Sequence, residues 1–201
     1  MVAGKSKEAR ASSGESEALD AVAARYAVSV TPAMAALIDP ADPDDPIARQ
    51  FVPDAAELVT LPQESADPIG DEAHSPVEGV VHRYPDRALL KLVHACPVYC
   101  RFCFRREMVG PGGDALTGGK LEAALAYLAD RRDIWEVIMT GGDPLILSAR
   151  RVREVAQRLA AIDHIKVARW HTRVPMVEPD RITADYAAAL RIPGKASYIA
   201  I

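Results

Sequence analysis

From Arg87 to Ile201 the chain alternates between short apolar, β-prone runs and longer amphipathic stretches, and this rhythm constrains the fold more than any other feature. Strands are predicted over Ala88–Ala95, Trp135–Thr140, His164–His171 and Lys195–Ile201. Helices are predicted over Gly119–Asp130, Ser148–Ile162 and Thr183–Leu190, with Ser148 suited to an N-cap. Strands and helices alternating at this spacing imply right-handed βαβ units and a parallel sheet, hence an α/β fold. Three βα units and one further strand describe about half of a (β/α) barrel. A parallel strand needs cover on both faces and a partner along its edge, so the expectation is a partial barrel, truncated after about three units.

The first 86 residues read differently. Residues 1–18 are small, polar and charge-mixed, as in a disordered tail. Residues 19–86 form an irregular, partly helical extension. A short helix is expected around Ala18–Tyr26 and another over Pro32–Ile38, with Thr31 as cap and Pro32 at the first helical position. Asp39–Pro46 holds four aspartates and three prolines and must be a turn-rich connector. The stretch to Pro85 stays loop-like and reads as a wrap around something larger. The division expected is 1–18, 19–86 and 87–201. With 49% apolar and 26% charged residues, collagen-like and wholly disordered classes are excluded. No run is apolar enough for a membrane span, and the N-terminus lacks the apolar core of a secretory signal, so cytoplasm is the expected compartment. A net charge of −4 gives no general reason to bind nucleic acid.

Three cysteines, Cys96, Cys100 and Cys103, fall within eight residues as C-x3-C-x2-C, directly after the first predicted strand. An odd, tightly clustered set is no disulfide framework and points to metal or redox chemistry. A four-iron cluster usually takes one thiolate per iron, so three cysteines leave one iron open to a small molecule. A zinc site with His94 as fourth ligand is the alternative, although zinc motifs usually pair their cysteines differently. Arg101, Arg105 and Arg106 make the loop electropositive, which should favour thiolates.

The stretch Cys96-Pro-Val-Tyr-Cys100-Arg-Phe-Cys103, placed after the first strand of a βα repeat, resembles the signature of radical S-adenosylmethionine enzymes. Joined to His82-Arg-Tyr-Pro-Asp-Arg87 upstream and to Phe104-Arg105-Arg106, it resembles the lysine 2,3-aminomutase family of that group, over roughly Ala66–Arg191. The resemblance implies a radical-SAM-type barrel. It implies a [4Fe-4S] cluster on Cys96, Cys100 and Cys103, S-adenosylmethionine on the open iron, and pyridoxal 5′-phosphate whose phosphate meets Arg83, Tyr84 and Arg87. Arg105 then matches the arginine that pairs with the substrate carboxylate. Gly141-Gly142-Asp143 matches the motif contacting the amino group of S-adenosylmethionine, and Arg173 is site-lining. Read from residues alone, these features also admit plainer roles: an Arg–Asp turn at 83–87, a salt bridge at Arg105, a β-turn at Gly141-Gly142, a core histidine at His171.

The implied partners are an amino-acid substrate, an external electron donor and, for a full-length chain, further copies of itself. The activity implied is the 1,2-amino shift converting L-lysine to β-lysine, in free lysine or in the elongation factor P pathway. No catalytic residue is identified. The Schiff-base lysine of the family is expected beyond Ile201, since none of Lys5, Lys7, Lys91, Lys120, Lys166 and Lys195 matches its position. Two readings follow: the N-terminal half of such an enzyme, inactive alone, or a short cluster-binding relic or interaction protein without mutase activity.

Overall fold

A hairpin opens the sheet where only its second strand is predicted. In the computed structural model, which describes residues 13–201, strand β1 (Val80–Tyr84) runs antiparallel to β2 (Arg87–Val93), and Tyr84 pairs with Arg87 across Pro85-Asp86. Proline fixes a negative φ, so this pair cannot form the mirror-image turns that usually announce a hairpin. The register instead shifts between Val81 and Tyr84. The short run at Val80-Val81 is therefore a strand that its length and the Pro85-Asp86 turn, which is not of the usual hairpin type, do not reveal.

Three further strands follow, β3 (Glu136–Gly141), β4 (Val167–His171) and β5 (Ala196–Ala200). The sheet order is β1-β2-β3-β4-β5, with β2 to β5 all parallel. The helices are α1 (Ser13–Arg25), α2 (Pro32–Ala35), α3 (Ala48–Phe51), α4 (Gly118–Asp130), α5 (Ala149–Ala160), α6 (Val174–Val177) and α7 (Ala184–Ala189). Helix α1 begins at Ser13 rather than near Ala18, so the expected tail is helical from that point; its residues 1–12 lie outside the described residues. The caps predicted at Ser148 and Thr31 are present, and Thr183 proves to be a third. The hydroxyls of Ser148 and Thr183 accept from the amides of Arg151 and Tyr186 at 3.3 and 3.2 Å. Thr31 accepts from Met34 and donates to the Val177 carbonyl, tying the extension to α6.

The sequential strand order means that each crossover steps the same way, which puts the helices on one face. The main core bears this out: Ala88, Leu90 and Leu92 of β2, Val137 and Met139 of β3, and Ala168 and Trp170 of β4 pack against α4, α5 and α7. Trp170 is fully buried and its indole donates to the Leu190 carbonyl at 3.0 Å. The alternate residues, Leu89, Lys91, Glu136, Ile138, Thr140, Arg169 and His171, form the opposite, inner face, which is polar by comparison. Strand β5 pairs with β4 alone, and its Tyr198 and Ile199 stand about half exposed. No helix among the described residues is long and apolar enough to cross a membrane.

Because Trp170 both fills the core and serves the Leu190 carbonyl, Trp170→Phe should lower stability by about 2 kcal/mol, from lost volume and an orphaned acceptor. Tyr198→Ser, on the exposed strand, should change it by less than about 0.5 kcal/mol. Urea denaturation midpoints of the two variants check the contrast.

Candidate functional site

Strand β2 ends at Val93, and the two residues between it and Cys96 are gripped by backbone from two other segments. Gly142 N donates to the Val93 carbonyl at 2.6 Å and Asp143 N to the Ala95 carbonyl at 3.0 Å. On the other side, Gly110 N donates to the His94 carbonyl at 2.9 Å. A Cβ at Gly141, Gly142 or Gly113 would lie 2.3 Å from the carbonyl oxygens of Val93, Ala95 and His94 respectively, and Gly141 also has φ +123°. The double glycine at the end of β3 is thus required by the chain itself. It lets β3 press against the root of the cysteine loop.

The loop is held next by charge. Each of its arginines, expected to favour thiolates, is paired with an acid of the extension. Arg101 donates to Glu57 at 2.9 and 2.6 Å, both side chains largely buried, and also to the Ala27 carbonyl at 2.8 Å. Arg105 donates from Nε to buried Asp71 at 2.9 Å, and Arg106 pairs with Glu64 at 3.2 Å. Backbone bonds run alongside, from Tyr99 N to the Ser29 carbonyl and from Arg101 N to the Gln50 carbonyl. Sequence reasoning missed Glu57, Glu64 and Asp71, since pairings across such separations leave no mark in one sequence.

All three cysteines line one cavity, with Tyr26, Val98 and Tyr99. Their thiols are half-buried, and Arg173 Nη1 donates to Cys100 Sγ at 3.1 Å while Nη2 donates to Gln50 at 3.1 Å. Arg173 lies 5.4 Å from the ring centroid of exposed Phe102 and 5.7 Å from that of Phe51. With the arginines neutralised, burial dominates: the Cys96 thiol is pushed up to about 12, first by desolvation and then by the Asp143 charge, and burial likewise raises Cys103. At Cys103 the Arg105 amide and charge still lower the thiol but burial outweighs them, while no arginine acts on Cys96. Among the described residues no three His, Cys, Asp or Glu side chains converge on a point where a single metal ion could sit, so a zinc site with His94 is not assembled. A four-iron cluster makes no such demand, because each thiolate meets a different iron.

The remaining expected residues fall into two groups. Arg83, Tyr84 and Arg87 line one cavity on the β1–β2 hairpin, together with Ile69, Asp71 and Leu89. Arg83 donates to the Ile69 carbonyl and Arg87 to Asp86 at 3.0 and 2.9 Å, while Tyr84 is exposed. Asp143, by contrast, is buried and turned inward. Its Oδ1 accepts from Leu145 N at 3.0 Å and Thr172 Oγ1 at 2.7 Å, and its Oδ2 from Arg173 N at 2.7 Å. Of about four lone-pair positions on a carboxylate, one on Oδ2 is left for a ligand. Asp143 joins the ends of β3 and β4 and places Arg173 against Cys100. His171, weighed as a core histidine, is exposed on the inner face.

Comparison with known proteins agrees with this geometry. A family described as "4Fe-4S single cluster domain" matches residues 82–174, which contain the cysteine loop and Arg173. The chain is 35% identical over 164 residues to L-lysine 2,3-aminomutase of Clostridium subterminale, covering 82% of this chain and 39% of the relative. It is 41% identical over 144 residues to the Escherichia coli (strain K12) protein of the same name, covering 71% and 41%.

The chain belongs to the lysine 2,3-aminomutase family.

A further relative, glutamate 2,3-aminomutase of Clostridioides difficile (strain 630), is 31% identical over 177 residues, covering 88% of this chain and 42% of the relative. The chain thus spans about two fifths of the length of these relatives.

Two outcomes test the loop. Gly142→Ala should cost about 2–3 kcal/mol, since the Ala95 carbonyl must move, and should prevent iron–sulfide uptake. Gly119→Ala, in open space on α4, should be neutral or stabilising; absorbance and urea titration compare them. Secondly, the folded apo-chain keeps Cys96 protonated below about 12, so its alkylation between pH 7 and 9 should be slow. In urea the ordinary thiol returns and alkylation should accelerate, as peptide mass spectrometry after iodoacetamide would show.

Proposed function

We propose that this chain is the cluster-binding part of a radical S-adenosylmethionine aminomutase, built on the first half of a (β/α) barrel. The observation that carries the reading is the cavity lined by Cys96, Cys100 and Cys103, with Arg173 donating to Cys100. Three half-buried thiols on one cavity fit a [4Fe-4S] cluster with one iron left open. Three polar groups around the hairpin cavity, Arg83, Tyr84 and Arg87, fit the phosphate of pyridoxal 5′-phosphate. When bound, the cluster with S-adenosylmethionine would supply hydrogen-atom abstraction and pyridoxal phosphate a carrier for the migrating nitrogen.

The protein's own residues then have distinct tasks. Cys96, Cys100 and Cys103 give up their protons and ligate. The Arg173 guanidinium withdraws charge from Cys100 Sγ, and Phe102 and Phe51 beside it limit water. Arg105 offers its free Nη edge to a substrate carboxylate while Nε stays on Asp71. Gly141 and Gly142 hold the rim, and the open Oδ2 position of Asp143 is the place for the ammonium of S-adenosylmethionine. Residues 19–86 brace the cysteine loop and 87–201 supply the barrel wall. The substrate is an amino acid, with L-lysine favoured by the family name. The Schiff-base lysine belongs to barrel units that these 201 residues do not include, so the amino shift needs a longer polypeptide, supplied with electrons by an external donor.

Anaerobic reconstitution with iron and sulfide tests this. The chain should acquire broad charge-transfer absorbance, and the EPR signal of the reduced cluster should change on adding S-adenosylmethionine. Cys100→Ala should abolish both. A chain that takes up no iron–sulfide chromophore, or an alanine variant that keeps it, sinks the reading. The 201 residues alone should yield no β-lysine by mass spectrometry; detecting it would overturn the division of labour described above.

A further inference from the structure

Lys91 is a buried cation that the tasks above leave unused. Its neighbours Leu90 and Leu92 sit in the helix-side core, so Lys91 projects from the inner face of β2, paired in register with Thr140 of β3. It is 8% exposed and Thr140 6%, yet among the described residues neither side chain has a hydrogen-bond or ion-pair partner. Neither Lys91 Nζ nor Thr140 Oγ1 is among the fully buried unpartnered atoms, so both still reach solvent on the inner face, where an ammonium and a hydroxyl side by side can meet an anionic ligand.

The acids around it are already committed. Asp67, whose carboxyl is held low by the Glu72 and Asp71 amides and by the Lys91 charge, has its oxygens on those amides at 2.8 and 2.9 Å. Asp71 is bound by Arg105, and Glu136 by Arg169 at 2.9 and 2.7 Å. The cations are equally allotted: Arg83 and Arg87 to a phosphate, Arg105 to the carboxylate beside a substrate's reacting carbon. Lys91 is left over, one strand-end below the cysteine loop.

We infer that Lys91 Nζ and Thr140 Oγ1 form a carboxylate-binding subsite at the C-terminal end of the inner face. An inference of this kind rests on the function proposed above, and it adds a second carboxylate to the ligand set. That carboxylate comes either from the methionyl end of S-adenosylmethionine or from the side chain of a dicarboxylic amino acid. Both present the same planar acceptor to an ammonium and a hydroxyl.

The test uses the reconstituted chain and two binding readouts, the EPR change of the reduced cluster with S-adenosylmethionine and calorimetry with L-glutamate against L-lysine. Lys91→Met keeps the apolar stem and removes the charge, and Lys91→Arg keeps the charge. The methionine variant should retain cluster absorbance and weaken one of the two carboxylate ligands by about tenfold or more, with the arginine variant close to the parent. A loss confined to S-adenosylmethionine assigns its methionyl carboxylate; a loss confined to glutamate assigns a second substrate carboxylate. If the methionine variant fails to hold the cluster, Thr140→Val takes its place, with the same loss expected at smaller size. Unchanged affinity for both ligands overturns the subsite, as does a parent chain that binds neither. A parent cluster signal indifferent to S-adenosylmethionine defeats the proposed function instead, and the glutamate titration then decides the subsite alone.

Discussion

The carbonyl oxygens of Val93, His94 and Ala95 leave no room for a side chain on the backbone that faces them. Gly141, Gly142 and Gly113 meet those three oxygens at distances where a Cβ could not stand. Every other feature of the site depends on this close approach. It carries the end of β3 onto the root of the cysteine loop and lets Gly142 N and Asp143 N bond there. It also brings Asp143 to where its carboxylate can gather Thr172 and the Arg173 amide from the end of β4. Arg173 then reaches Cys100. Three strand ends are thereby locked to one another by contacts that tolerate very little displacement, as suits a site whose thiols must keep fixed separations.

Charge does the second part of the holding. Buried or half-buried ion pairs contribute little net stability, because desolvation offsets much of the attraction, but they are specific. The Arg101–Glu57 and Arg105–Asp71 pairs are of this kind, and they join the extension to the loop at defined points. Neutralising the arginines has a consequence for the thiols. A loop that reads as electropositive in the sequence gives no help in ionising Cys96, whose proton is held by burial. Ligation has to displace that proton, so the metal and not the protein field is the driving force for thiolate formation at this position.

The parts of this arrangement that were legible in the sequence are those set by local rules. Helix starts at Ser148, Thr183 and Thr31 follow from side-chain capping, and β2 to β4 follow from short apolar runs between helices. The cysteine spacing singled out the loop whose three thiols line one cavity. What escaped was non-local or lacked its usual marker. β1 was hidden because Pro85-Asp86 reads as a plain turn and not as one of the usual hairpin turns. The partners of Arg101, Arg105 and Arg106 are more than thirty residues away and bound by no periodicity. Asp143 was read as facing a ligand because its type and place fit that role. Only the fold shows that Leu145, Thr172 and Arg173 use three of its about four lone-pair positions and leave one on Oδ2.

The two faces of the sheet explain why chemistry gathers where it does. The sequential order of β2 to β5 sends each crossover in one direction, so the helices cover one face and its residues are apolar. Among the described residues the helices of the main core cover only that face, so the other can keep polar side chains that a doubly covered sheet would exclude. Glu136 and Arg169 pair across it, Lys91 and Thr140 lie above them, and the cysteine loop closes its C-terminal end. A polar, one-sided surface of this kind suits a ligand wall. Arg169 answers Glu136 and Arg105 answers Asp71, while the acid nearest in charge to Lys91, Asp67, has its oxygens on backbone amides and leaves the ammonium open to an anionic ligand.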